Sequence, residues 1–254
     1  MLYQHSSFRS FLVWYNSRKW KYSAISNPYK IIWIDPDQIK YITGRDPYPG
    51  RFQWQQIGRI AKGNWDRSTE KFCDLLLYQA MEERYQNGVD WSETEFINRL
   101  NDNIAEGKPT WKNVSSRSDI ERGCEKVDRI YDNIRTEGYK TVPVLIRSGV
   151  IDPEKRVVPE EMVQHDEIAV DIGRNGQFLF VDGRHRLAIA KILNLEEIPV
   201  RVSARHAEWQ KIRDRVERAN SPEELPESVR TYLDHPDLAD VAETIEQKEE
   251  EEEE

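Results

Sequence analysis

The stretch from Phe178 to Ala190 leaves this chain few ways to fold. Phe178-Leu179-Phe180-Val181 is an apolar run of strand length, Asp182-Gly183 breaks it, and helical spacing follows from about His185 to Leu193. A second apolar run, Ile198 to Val202, comes next. The result is a strand, turn, helix, strand unit, so the sequence predicts a layered α+β protein.

The turn also carries the chemistry. A glycine there admits a tight turn and close approach, and the helix start leaves amide donors and a positive dipole end exposed. Arg184, His185 and Arg186 add positive or proton-donating groups at the same place, and arginine grips phosphate in a bidentate manner. Phosphate is the expected ligand. Asp182 has two readings: a cap that offsets the arginines, or a carboxylate that holds a metal or accepts a proton from a substrate hydroxyl. His185 likewise reads either as a hydrogen-bonded helix-start residue or as a proton donor to a bound ligand.

Elsewhere the 254 residues divide by pattern. Residues 1–30 form a basic, aromatic arm in which Phe8, Phe11, Leu12 and Tyr15 make one helical stripe, with Ser6 or Ser7 placed to cap it. That stripe reads as a helix docked on its own domain, or as one lying on an anionic membrane or on single-stranded nucleic acid. Ile31 to Ile34 reads as a strand stopped at Asp35-Pro36. Residues 43–115 read as a mostly helical insertion, with helical patches at Glu70 to Tyr85 and Glu93 to Ile104 and with Trp54, Trp65, Trp91 and Trp111 as core fillers.

The core is expected to resume over 116–205. Ser118-Asp119-Ile120-Glu121 opens a helix that ends at Gly138, and Val142 to Ile146 reads as a strand. Glu167 to Ile172 and Gln177 to Val181 form a hairpin around Asn175-Gly176. Residues 206–245 read as a helical extension, with a charged helix to about Ala219 and another opened by Ser221-Pro222. Residues 246–254 read as a disordered acidic tail.

Composition excludes some classes. The mean hydropathy is -0.80, and no apolar run approaches the ~20 residues a membrane-spanning helix needs. The N-terminus builds no secretory signal, so a cytoplasmic protein is predicted. Cys73 and Cys124 form no CxxC pair and read as buried free thiols, not as a disulfide framework or a zinc cage. The net charge of -9 owes most to Glu249 to Glu254, leaving the body close to neutral.

At Val181 to Ala190 followed by Leu195-Glu196-Glu197-Ile198-Pro199-Val200, the chain resembles the second box of the ParB/sulfiredoxin-like superfamily, in which a glycine-and-arginine turn starts a helix and a strand of this type follows. Asp35-Pro36-Asp37-Gln38-Ile39 resembles the exit of that superfamily's first strand. Ile134 to Gly138 and Pro143 to Arg147 resemble another of its stretches. About half the chain is covered. The resemblance implies a mixed-sheet core over 31–42 and 116–205 that holds nucleotide phosphate at the Gly183 turn.

The departures narrow what carries over. Sulfiredoxins have cysteine where this chain has Arg184, so their reductase chemistry is not implied. The partition proteins have glutamate and arginine at the positions of Arg184 and His185, and arginine where this chain has Ala188, so CTP switching is not implied either. What remains is a phosphate-binding protein with a nucleoside tri- or diphosphate as cofactor, with or without Mg²⁺, in which Gly183, Arg184, His185 and Arg186 hold phosphate. Asp182 and His185 would be the catalytic pair of a phosphotransferase or nucleotide hydrolase with a small hydroxylated acceptor. The alternatives are a ParB-like DNA-binding accessory protein, which makes nucleic acid the less favoured partner, and a noncatalytic sensor of a phosphorylated ligand.

Overall fold

The computed structural model describes residues 21–27, 29–45, 58–108, 110, 114–152 and 166–245. Strands β1 (Ile31–Ile34), β2 (Tyr41–Ile42), β3 (Arg59–Ala61), β4 (Ile168–Ile172), β5 (Phe178–Asp182) and β6 (Ile198–His206) form one mixed sheet. Its order is β1-β6-β4-β5-β2, and β3 shares with β1 one edge of the long strand β6. The chain is a mixed α+β protein, as its patterning predicts.

The local grammar of each strand is visible. Pro36 ends β1 because it cannot donate to a ladder, and the Asp35 carboxylate accepts the Asp37 amide at 2.7 Å to close a 3₁₀ turn. β4 and β5 pair antiparallel through the turn at 173–177, where Gly176 has φ of 83°. Each of the nine residues of β6 is buried, as befits a strand covered on both faces. It runs farther than the expected end at Val202, because Arg205 and His206 find partners in other segments.

Helix α5 (Arg184–Ile192) links β5 to β6 and buries Leu187, Ile189 and Ile192 in the core with Ile168, Val170 and Phe180 of the sheet. Helices α1 (Leu76–Asn87) and α3 (Arg117–Glu137) pack against α5, and α2 (Glu95–Ala105) packs against both of them, with Leu77, Met81, Leu100 and Val127 turned inward. At 25 cal/mol per Å² this continuous apolar contact is the main favourable contribution to the fold. Trp91 is buried in it as expected, whereas Trp65 is half-buried beside His206 and Trp54 and Trp111 lie outside the described residues.

Several expectations need correction. Val142–Arg147 is a short helix, α4, and not a strand. Pro143 sits in its first turn, where a missing N–H costs little, and both edges of β4 are already taken by β5 and β6. α3 starts earlier than predicted: Ser116 is the cap, and its hydroxyl accepts the Asp119 amide at 3.2 Å. Ser221-Pro222 opens a single 3₁₀ turn, Pro222–Glu224, because Pro226 follows too closely for a longer helix. Cys73 is exposed and Cys124 half-buried. The aromatic stripe of the N-terminal arm and the glutamate run lie outside the described residues.

The segment 43–115 supplies more than helices, since β3 belongs to it and joins the sheet. After α6 (Ala207–Arg218) the chain returns through α7 (Glu227–Arg230) to a helical stretch at 239–245. Asp237 anchors this return: its carboxylate accepts from Arg205 Nε at 2.9 Å and from Trp209 Nε1 at 2.9 Å, with Arg213 Nη1 3.5 Å away.

Candidate functional site

The turn between β5 and α5 has the predicted form. Gly183 is left-handed, with φ of 92° and ψ of 29°. A Cβ placed there would stand 3.0 Å from the Ile168 Cα, so glycine is needed for conformation and for space alike. The first helical hydrogen bond runs from the Leu187 amide to the Gly183 carbonyl. The amides of residues 184 to 186 precede that bond and form the dipole-positive start of a nine-residue helix.

The four side chains at this turn go to four different places. Asp182 folds back so that its Oδ1 accepts the Gly183 amide at 2.7 Å; it stabilises the turn and does not cap α5. Arg184 is half-buried and makes no ion pair with any described residue. His185 is turned into the helical layer, where it lines a narrow apolar cavity with Leu77, Trp91, Leu100, Ile120 and Cys124. Arg186 reaches the other way, with Nη1 3.2 Å from Glu167 Oε2 and Nη2 2.6 Å from the Asp166 carbonyl.

The predicted set is therefore only partly assembled. Gly183, Asp182 and Arg184 stay at the turn, but the Arg186 guanidinium is engaged in an internal ion pair and the His185 ring points into the apolar layer. Neither of these two side chains occupies the phosphate-gripping or proton-relaying position expected for it. The physical reason is burial: Glu167 has a fully buried carboxylate that needs a counter-charge, and α5 places Arg186 within reach.

Glu167 is the residue that the sequence pattern did not reveal. Its Oε1 accepts the Val142 amide at 2.5 Å and its Oε2 accepts the Tyr139 hydroxyl at 3.4 Å. Burial pushes its pKa above the usual carboxylate value, and Arg186 with these hydrogen bonds recovers only part of that. Burial also pushes the Tyr139 hydroxyl up. A third charged group, Arg201, lies almost completely buried in β6, where desolvation lowers its pKa to about 10 against the pull of Asp166 and Asp182. An arginine inside the apolar run Ile198 to Val202 was the one available signal that carboxylates would gather here.

Among the described residues no group of three or more His, Cys, Asp or Glu side chains is placed to hold a metal ion. Asp182 is the carboxylate the turn itself would offer to a cation that arrives with phosphate. No helix among the described residues is long and apolar enough to cross a membrane.

Fold and site together define a mixed α+β protein with a strand-to-helix turn at Gly183 and a charged, braced shell behind it. Compared with protein-family models, with curated proteins and with solved structures, the chain gives no match.

Proposed function

We propose that this is a ParB/sulfiredoxin-like protein that binds a phosphorylated ligand, a nucleoside di- or triphosphate foremost, at the Gly183 turn. The observation that carries the reading is the left-handed Gly183 at the start of α5, where the amides of residues 184 to 186 precede the first helical hydrogen bond, with Arg184 beside them making no ion pair among the described residues. Gly183 admits the phosphate to the backbone, the amides of residues 184 to 186 donate to it, and Arg184 neutralises it. Arg186 acts behind the turn, where its pairing with Glu167 holds the start of α5 against the segment before β4. Asp182 supplies the carboxylate for Mg²⁺ or for a substrate hydroxyl. When bound with a nucleotide, Mg²⁺ would offset phosphate charge.

Phosphoryl transfer to a small hydroxylated acceptor remains part of the proposal, with Asp182 in place of His185 as the group that would take the hydroxyl proton. A second reading, a noncatalytic sensor of a phosphorylated ligand, is favoured by the same facts that remove His185 and Arg186 from the mouth of the turn. A cytoplasmic location fits either reading. The DNA-binding accessory reading rests on the basic arm, of which residues 1–20 lie outside the described residues.

Isothermal titration with ATP, ADP and CTP, with and without Mg²⁺, tests the reading. Binding that weakens at least ~10-fold in Arg184→Ala, about 1.4 kcal/mol, supports it. Absence of binding to any of the three refutes it. Product analysis after incubation with the tightest ligand separates turnover from sensing.

A further inference from the structure

At the opposite end of β5 from Gly183, two open clefts flank residues 62–71. One, of about 630 Å³, is lined by Lys62, Asn64, Trp65 and Arg67. The other, of about 450 Å³, is lined by Tyr41, Lys71, Arg174 and Gln177. Arg67, Ser68 and Thr69 line both and form the ridge between them.

This ridge is held from beneath. The buried Asp66 carboxylate accepts from Arg174 Nε at 2.6 Å, from Nη2 at 2.7 Å and from the Arg174 amide at 2.9 Å. Arg174 Nη2 also donates to the Gly63 carbonyl at 2.8 Å and to Asn64 Oδ1 at 2.9 Å. On the other side the Gly44 amide donates to the Trp65 carbonyl at 2.9 Å, an approach that a Cβ at Gly44 would block at the same distance.

Among the described residues that line the two clefts, cations outnumber carboxylates. Arg174 neutralises Asp66, while Lys62, Arg67 and Lys71 are exposed and form no ion pair with any described residue. Glu70 on the rim and Glu208 near Lys62 are the acidic groups set against them. Each cleft also contains a half-buried aromatic ring, Trp65 in one and Tyr41 in the other. Arg67 on the ridge, Lys62 in the cleft with Trp65 and Lys71 in the cleft with Tyr41 set cations beside aromatic rings, as the phosphates and bases of a single strand require. Among the described residues the surface is built of a 3₁₀ turn (Trp65–Arg67), the loop after it and a hairpin turn, with no long helix to enter a duplex groove.

We infer that this surface binds a single-stranded polynucleotide laid across the ridge, with its phosphates on Lys62, Arg67 and Lys71 and its bases against Trp65 and Tyr41. The site is separate from the Gly183 turn and stands or falls independently of it.

The test is fluorescence anisotropy of a labelled octathymidylate with the full chain. Three phosphate contacts on a single strand predict that binding weakens ~20-fold between 50 and 200 mM salt. The double change Arg67→Glu with Lys71→Glu is expected to weaken it at least ~10-fold while the melting temperature holds, and Arg67→Gln alone to shift it less in the same direction. Arg184→Ala should leave it unchanged. No binding at 50 mM salt, undiminished binding by the double variant, or a mononucleotide that binds as tightly as the octamer would each overturn the inference.

Discussion

Arg186 and Glu167 face each other across the start of α5 at 3.2 Å, and this pair joins the turn that would hold a ligand to the segment leading into β4. The Glu167 side chain is fully buried and that of Arg186 is 22% exposed. A buried carboxylate that loses its partner is strongly penalised, whereas a lone surface cation is not. The two arginines that flank His185 in sequence should therefore behave in opposite ways.

Arg186→Met is expected to destabilise the fold by about 3 kcal/mol, because it leaves Glu167 buried with its hydrogen bonds but without its ion-pair partner. Arg184→Ala should change stability by less than about 0.5 kcal/mol and act on ligand binding alone. Urea denaturation of both variants checks this. Equal losses from the two changes would contradict the assigned roles.

Gly183→Ala should cost about 1–3 kcal/mol, since an L-residue at φ of 92° is strained and its Cβ would press on the backbone at Ile168. Thermal melting reads the loss. Ligand binding at the turn should fall with it, because any relief of the strain moves the amides of residues 184 to 186.

Asp237 sits between two buried arginines. Burial pushes its carboxyl pKa up, but Arg205, through charge and hydrogen bonds, and then Arg213 outweigh that and hold it well below the usual 3.8. A folded pKa below the unfolded one means a stabilising contribution that is complete above the unfolded value and is lost as pH falls through the window beneath it. Stability should therefore drop steeply below about pH 4 in the wild type. Asp237→Asn should lower stability near neutrality by about 3–5 kcal/mol and flatten that acid limb. Denaturation midpoints measured from pH 7 down to the limit of folding would show both effects.

The two thiols should differ in reactivity. Cys73 is exposed, whereas burial pushes the Cys124 thiol from its ordinary 9.0 up to about 11. At neutral pH that shift lowers the thiolate fraction of Cys124 by ~100-fold. A thiol reagent should label one cysteine rapidly in the native protein and the second only on unfolding; peptide mapping should place the fast label at Cys73.

Local pattern proved a good guide wherever one segment supplies both the signal and the structure. The β4–β5 hairpin, the break at Asp182-Gly183, the helix that follows and the strand from Ile198 depend on alternation, helical spacing and glycine conformation, all of which are properties of neighbouring residues. Val142 to Ile146 failed for the same reason in reverse. Its β-branched residues suit a strand, but no free edge of β4 remains for it, and strand formation needs a partner.

From residue order alone came the layered α+β class and a glycine turn able to start a helix beside two arginines. Folding in three dimensions decided which arginine stayed available and where His185 points, and it set the ridge at 67–69 on its Asp66–Arg174 support across 108 positions of chain. Charge pairing acts through space and burial, so a carboxylate far away in sequence can claim a guanidinium whose neighbours give no hint of it.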